Sequence, residues 1–423
     1  MRTLYGFQKR LARWGERQYH ISIITANKMT YPLLQLKPRE ERRLKAGHCW
    51  IYSNEIDTIK TPLKSFTAGQ LIRIAAAGGK LLGIGYINPN CLLCARLLTS
   101  DATTTINTEW FKARLQIALQ WRERYFAKPY YRWVFGESDG LPGLVIDRFA
   151  ETLVVQCNTA GMDHLQSLIF AALEELMKPR CILLRNDSSV RHLEQLASEN
   201  KMVKGNDSLL LLEENDTLFM VDAMHGQKTG WFYDHRDNRL YLNHLARGKR
   251  ILDVFCYAGA FGVQVARHGA EKVECIDSSE RALAMLTENA KRNQIADRIT
   301  THQGNAFEVL QQFIEENRQF DMVILDPPAF IKRQKDKKSG QQAYKRLNRL
   351  ALQLLTENGL LFSASCSFHL ERDELVDLIR QAALEERRTL QIVYQGHQGA
   401  DHPIHPAITE TNYLKAFLAR ISS

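Results

Sequence analysis

From about residue 218 onward the chain alternates strand and helix, and this limits the folds open to it. ILDVF, VECID, ITTHQGN, FDMVILDPP and LLFSASCS are runs of strand length rich in β-branched and aliphatic residues. Between them lie FGVQVARHG, ERALAMLTENAKRN, AFEVLQQFIEEN, AYKRLNRLALQLLTENG and HLERDELVDLIRQAALEERR, with apolar residues at helical spacing. LQIVYQG and YLKAFLARI follow as further β-prone segments. Such alternation predicts a mostly parallel sheet covered on both faces, an α/β architecture. Ligands of such sheets bind beyond the carboxyl ends of the strands. The residues just after each strand are therefore the candidates for function.

After the first strand come Asp253, Tyr257, Gly259 and Gly262 in LDVFCYAGAFG, and after the second Asp277 in VECIDSS. Glycines let the backbone pass close to a ligand at a helix N-terminus. An acid roughly 20 residues beyond a glycine turn suits ribose hydroxyls. Dinucleotides and S-adenosylmethionine both carry such a ribose. The G-x-G-x-x-G of dinucleotide sites is absent here, because Tyr257 stands where its first glycine belongs. The pattern therefore favours S-adenosylmethionine and a methyltransferase over a dehydrogenase.

After the fourth strand comes Asp326-Pro327-Pro328-Ala329-Phe330, whose prolines rigidify the turn that aims Asp326. After the fifth comes Ser365-Cys366-Ser367. A thiolate placed there can add to carbon 6 of a pyrimidine, making carbon 5 nucleophilic enough to accept a methyl group. A free thiol has a pKa of about 8.5, so the surroundings are expected to raise the thiolate fraction of Cys366. Asp326 is expected to hydrogen-bond the base at N3 or the exocyclic amine, favouring cytosine. No residue is assigned as the base that removes the carbon 5 proton.

The first half reads differently. Residues 31–107 are short strands and turns, with Gly78-Gly79 marking a hairpin, as in a small barrel or sandwich. Residues 108–217 read as helix, strand, strand, helix, strand, with GLPGLVIDRFAETLVVQCN as the hairpin and GESDGLPG as a polar turn. The 423 residues suit roughly two to three domains. The divisions expected are 29–107, a small β-rich RNA grip; 108–217, central α+β; and 218–423, catalytic. Residues 1–28 are basic and lack a patterned core, and they read as an extension outside the working protein. A chain starting at Met29 is expected to fold and act like the full one.

The formal charge of +9 favours a polyanionic partner. No apolar run approaches the roughly 20 residues of a spanning helix, so no membrane role is expected. The eight cysteines lie in mostly apolar contexts, which points to a cytoplasmic protein without disulfides. Cys91 and Cys94 form a CxxC without a second pair. NCLLCARLL reads as a buried strand, and no metal is expected.

Together HGQKTGWFYDHRDNR, LDVFCYAGAFG, LDPPAF, SCS and DHPIHPAITETNYLKAFLARI resemble the bacterial ribosomal RNA large subunit methyltransferase I family. PREERRLKAGHCWIYSNEI and GESDGLPGLVIDRF extend the resemblance to nearly everything after Met29. It implies a multidomain α/β protein with an N-terminal PUA domain, a central α+β domain and a C-terminal Rossmann-like class I methyltransferase domain that forms 5-methylcytosine in 23S rRNA. It implies Cys366 as nucleophile and Asp326 as the motif acid. Asp253, Tyr257, Gly259, Asp277, Ser278, Asn305 and Asp326 would hold S-adenosylmethionine. Pro327, Pro328, Phe330, Lys228, Arg236, Lys37, Arg39 and Arg43 would meet large-subunit rRNA. Ala329 departs from the Lys often found in DPPKF, Asn305 from an Asp, and His235 from a Gln. The DPP motif has no cysteine, so a two-cysteine mechanism is not available. An exocyclic-amine methylase and a non-catalytic RNA-binding assembly factor are the rival readings.

Overall fold

A computed structural model describes residues 31–422. The readings of residues 1–28, and of a start at Met29, lie outside the described residues.

The first five strands form one sheet: β1 (Leu33–Gln35), β2 (Trp50–Tyr52), β3 (Gln70–Ala75), β4 (Leu81–Ile87) and β5 (Leu93–Thr99), in the order β1-β3-β4-β5-β2. The expected hairpin at Gly78-Gly79 joins β3 to β4. Alternate residues of these strands, among them Leu34, Ile51, Ile72 and Ile74, form a compact core of their own. β5 starts at Leu93, so Cys91 precedes the strand and only Cys94 lies inside it.

A helix, Thr108–Tyr125, leads into a second sheet. Its strands are β6 (Tyr130–Phe135), β7 (Leu144–Phe149), β8 (Thr152–Cys157), β9 (Cys181–Asn186) and β10 (Glu199–Lys204), ordered β10-β9-β8-β7-β6. The expected order lacked β6 and β10. YYRWVF carries the aromatic and β-branched residues of a strand and the expectation simply omits it, whereas ENKMVK is a polar edge strand without the apolar run that marks β7 to β9. The two sheets meet tightly at Gly161, where a Cβ would lie 2.1 Å from the ring of Tyr86. The Tyr86 hydroxyl sits 2.9 Å from Thr159 Oγ1 and donates to the Pro142 carbonyl (2.8 Å).

A two-stranded ribbon follows, β11 (Leu209–Glu214) and β12 (Thr217–Asp222). It straddles the division expected at 217/218. Leu210, Leu212, Phe219 and Val221 pack into the core of the catalytic section.

The alternating region forms a seven-stranded sheet of β13 (Arg250–Val254), β14 (Lys272–Asp277), β15 (Ile299–Gln303), β16 (Phe320–Leu325), β17 (Leu355–Ser365), β18 (Thr389–Gly396) and β19 (Lys415–Ser422). Its order is β15-β14-β13-β16-β17-β19-β18. β13 to β17 run parallel, and β19 enters antiparallel between β17 and β18. Helices Gly262–Arg267 and Glu280–Arg292 cover one face through Val263, Leu283 and Leu286. Helices Ala306–Glu315, Lys337–Gln353 and Arg372–Glu385 cover the other through Phe313, Tyr344, Leu347 and Leu375. The chain order reverses between β14 and β16 on either side of β13, which opens a crevice at their carboxyl ends. Among the described residues no helix is long and apolar enough to cross a membrane.

Candidate active site

The turn after β13 is built from unusual backbone. Phe255, Tyr257 and Gly259 have φ values of 66°, 49° and 87°. Non-glycine residues adopt this region at a cost of about 1–3 kcal/mol, met only where the surroundings hold them there. Three hydrogen bonds do so. Asp253 Oδ2 accepts from the Gly262 N–H (2.8 Å), Asp277 Oδ2 accepts from the Tyr257 N–H (2.9 Å), and the Tyr257 hydroxyl accepts from the Gln227 N–H (2.9 Å).

These contacts correct two expectations. Asp253 is fully buried, so it holds the turn rather than touching a ligand. Burial, helped by the nearby Asp326 and Asp277 charges and opposed by the Gly262 N–H, pushes its pKa up to about 7. The ring of Tyr257 is turned toward the 222–230 segment, so the residue offers the crevice its main chain. Gly259 packs on the helices, where a Cβ would lie 2.6 Å from Val263 Cγ2 and 2.8 Å from Leu286 Cγ.

Asp277, Ser278 and Asn305 line a cavity of about 190 Å³, walled by Phe255, Phe307 and Phe330. Asp277 Oδ1 also accepts from the Ser279 N–H (2.9 Å), which fixes the carboxylate at the mouth of the crevice. Asn305 caps the helix Ala306–Glu315 by accepting from the Phe307 N–H (2.9 Å). Aromatic walls suit an adenine ring and the carboxylate suits two ribose hydroxyls, so the donor set fits S-adenosylmethionine. Phe330, expected against RNA, stands instead in this wall, with its ring 4.8 Å from that of Tyr344.

The second half of the site lies along the same edge of the sheet. Cys366 follows β17 and is partly exposed. The serines on either side of it are structural. Ser365 Oγ donates to the Tyr344 hydroxyl (2.8 Å), which lies 2.9 Å from Ser367 Oγ, and Ser367 Oγ accepts from the Ile331 N–H (3.1 Å). The loop after Asp326-Pro327-Pro328 is thereby tied to the cysteine loop. Pro327 is buried and Pro328 exposed. Lys415 on β19 supports the cysteine loop from behind, with Nζ donating to the Ser367 carbonyl (2.7 Å). Burial lowers the pKa of this ammonium to about 8.

Sequence reasoning missed His235 as an anchor. Its Nδ1 faces the Asn238 amide N–H₂ (3.0 Å) and so accepts, leaving Nε2–H to donate to Asp326 Oδ1 (3.2 Å). It also missed Asp234 and Tyr413, whose hydroxyl donates to Asp234 Oδ2 (2.5 Å). Burial alone would raise the pKa of Asp234, but Lys228, His402 and His235 together hold it well below the carboxylate range. Only proximity in the fold reveals these residues, since they come from segments almost 180 positions apart.

Lys228 has a half-exposed ammonium 4.0 Å from Asp234 and 4.3 Å from the centre of the Phe232 ring. The Cys366 thiol is not poised as expected. Burial pushes its pKa up, Lys228 pulls it down, and Asp326 and Asp234 oppose Lys228. Arg236, expected on RNA, is buried. It pairs with Glu214 (3.4 Å) and lies over the rings of Phe126 and Tyr233. Arg239 joins the same carboxylate (2.6 Å), so both arginines hold β11 to the catalytic section. In the segment that follows β1, Lys37 and Arg39 are exposed, with Lys37 Nζ donating to the Asn54 carbonyl (2.7 Å), and Arg43 pairs with Glu55 (2.8 Å).

The geometry agrees with two family models. Residues 34–100 match a PUA-like domain, and residues 189–420 match the S-adenosylmethionine-dependent methyltransferases. A Shewanella denitrificans protein named ribosomal RNA large subunit methyltransferase I is 35% identical over 92% of this chain and 99% of its own. The chain belongs to the ribosomal RNA large subunit methyltransferase I family. An Escherichia coli O157:H7 member is 33% identical over 93% of this chain and 100% of its own. Among solved structures, a Streptococcus mutans chain assigned to the SAM-dependent methyltransferases superposes with a TM-score of 0.77. It is 20% identical and covers 92% of this chain and all of that one. A second, SMU.776 complexed with SAH, gives 0.78 at 20% identity, covering 93% and 100%. Membership of the family makes S-adenosylmethionine the cofactor, with the fold of a multidomain α/β methyltransferase.

Proposed function

We propose that this protein methylates carbon 5 of a cytosine in large-subunit (23S) ribosomal RNA, with Cys366 as nucleophile. The observation that carries the reading is one sheet edge on which Cys366, Asp326 and Lys228 gather beside the Asp277 cavity. The relatives' shared name supports rRNA as the substrate.

The cofactor, when bound, supplies an electrophilic methyl group. Asp277, Ser278 and Asn305 would hold its adenosine half against Phe255, Phe307 and Phe330. Asp326, fixed by His235, accepts a hydrogen bond from the cytosine exocyclic amine. Cys366 Sγ, as thiolate, forms a bond to carbon 6, and the ring electron pair moves to carbon 5. Carbon 5 becomes the nucleophile that takes the methyl group. Loss of the carbon 5 proton to a base then returns its electron pair to the ring, the carbon 6–sulfur bond breaks, and Cys366 is released. Lys228 is the cation available to favour the thiolate in a site that otherwise disfavours it. Lys37 and Arg39 of the PUA-like section would meet RNA phosphates, so affinity falls steeply with salt.

Cys366→Ala and Cys366→Ser test the mechanism. Both abolish turnover and leave cofactor binding intact, because serine's hydroxyl is far harder to deprotonate than a thiol. RNA carrying 5-fluorocytosine traps a methylated covalent adduct on the native enzyme and none on the alanine variant. Methylation that survives Cys366→Ala would establish exocyclic-amine transfer instead. Failure to bind S-adenosylmethionine would point to a non-catalytic assembly factor.

A further inference from the structure

A cavity of about 570 Å³ lies where the first sheet meets the second, apart from the cysteine site. That volume is in the range of small-molecule sites. Trp50 and Tyr52 from β2 form part of its wall, and Arg96 from β5, Glu137 and Asn158 supply polar groups. Trp50 Nε1 donates to Glu137 Oε1 (3.0 Å), so the carboxylate is fixed beside the indole.

Arg96 is only 6% exposed, and its Nη1 pairs with Glu194 Oε1 (2.8 Å). The Glu137 carboxylate, held by the Trp50 indole, is the fixed acceptor of the wall. A fixed acceptor beside aromatic rings points to a flat ligand that donates hydrogen bonds. Two carboxylates, Glu137 and Glu194, line it against one arginine, which disfavours a phosphate inside.

We propose that this cavity takes one unstacked guanine base of the RNA substrate, a reading that rests on the RNA methyltransferase function above. Proteins read single-stranded RNA by stacking splayed bases on aromatic side chains and hydrogen-bonding their edges. Guanine offers a carboxylate two neighbouring N–H donors, at N1 and N2, with the O6 acceptor beside them for a guanidinium. Adenine and cytosine have no edge with two adjacent donor positions, and uracil has a single ring N–H. A chain of packed side chains links the cavity wall to the cysteine site. Phe135 in its wall lies 6.3 Å from the Tyr413 ring, and Tyr413 donates to Asp234, which faces Lys228.

The test titrates the full chain, saturated with S-adenosylhomocysteine to block the adenosine cavity, with guanosine, adenosine, cytidine and uridine 5′-monophosphates by calorimetry. Guanosine monophosphate binds at least about tenfold more tightly than the others, as expected for hydrogen bonds to a charged group. Glu137→Gln removes that preference. It also raises KM for rRNA about tenfold at unchanged kcat, with S-adenosylmethionine affinity unchanged. If Glu137→Gln melts early, Leu193→Trp fills the cavity from its exposed rim without altering the polar set, and it abolishes guanosine monophosphate binding. Equal affinity for all four nucleotides, no binding, or unaltered binding in a folded variant overturns the proposal. Methylation of rRNA without guanosine monophosphate binding defeats the cavity assignment alone. Selective guanosine monophosphate binding by an enzyme inert on rRNA supports the cavity and defeats the rRNA reading.

Discussion

Replacing Lys228 with methionine tests whether the cysteine site depends on one cation. The substitution keeps an unbranched side chain and its contact with the Phe232 ring, but removes the charge. In the folded protein burial raises the Cys366 pKa, and Lys228 is the leading influence that lowers it. The ammonium is half-exposed and shares its field with Asp234, so its hold on the thiolate is that of a solvent-screened pair, at most about 1 kcal/mol. Loss of the lysine also leaves the Asp234 charge less opposed, which acts on Cys366 in the same direction. The pKa of Cys366 therefore rises further. On the acid side of the titration alkylation slows by up to about fivefold, the equivalent of that energy, and the difference closes as pH rises past the variant's pKa. The assay is the pH dependence of iodoacetamide alkylation at Cys366, resolved from the other seven cysteines by peptide mass spectrometry. It requires no substrate, so it isolates the thiol. An unchanged alkylation profile in a folded Lys228→Met protein would refute the electrostatic argument, and the lysine would then be an RNA contact only.

Asp277→Ala weakens S-adenosylmethionine binding about tenfold or more, the effect of losing charge-assisted hydrogen bonds, and calorimetry on the folded variant reads it directly. Glu214→Ala leaves Arg236 and Arg239 buried without their shared carboxylate and lowers unfolding stability by about 3–5 kcal/mol, measured by denaturant titration. Asp253 has a folded pKa raised to about 7, so the folded state holds a proton that the unfolded chain releases above about pH 4. Its contribution makes stability fall as pH rises from about 4 to 7, and Asp253→Asn flattens that slope in thermal melts taken across the window. His235→Ala frees Asp326 to rotate; it lowers kcat for rRNA methylation more than it changes cofactor affinity, and equal kcat would remove His235 from the site.

The catalytic sheet was legible because its central strands β13, β16 and β17 are buried on both faces, so their sequences are rich in apolar runs, and amphipathic helices separate them. The same logic put Asp277, Asp326 and Cys366 at strand ends, which is where the structure has them. β10 escaped because an exposed edge strand has no apolar signature, and the β11–β12 ribbon was cut because its burial comes from a section beyond the expected division. Arg236 shows the opposite failure. A basic residue in a motif suggested RNA, but its guanidinium has a buried carboxylate and two rings to satisfy it. His235, Asp234, Tyr413 and Lys415 became visible only when the fold closed distant segments around Cys366.

The position of β19 has a consequence for how the enzyme is born. Synthesis delivers β17 and β18 before it, yet β19 is the strand that separates them and brings Lys415 beneath the cysteine loop. Until it emerges from the ribosome, the nascent chain presents the open edge of β17, with no neighbour to pair with and no closed catalytic centre. The methyltransferase section thus completes its sheet after the PUA-like and central sections have had time to fold. Chains halted before residue 415 would carry an exposed, aggregation-prone edge, a reason for quality control to remove them.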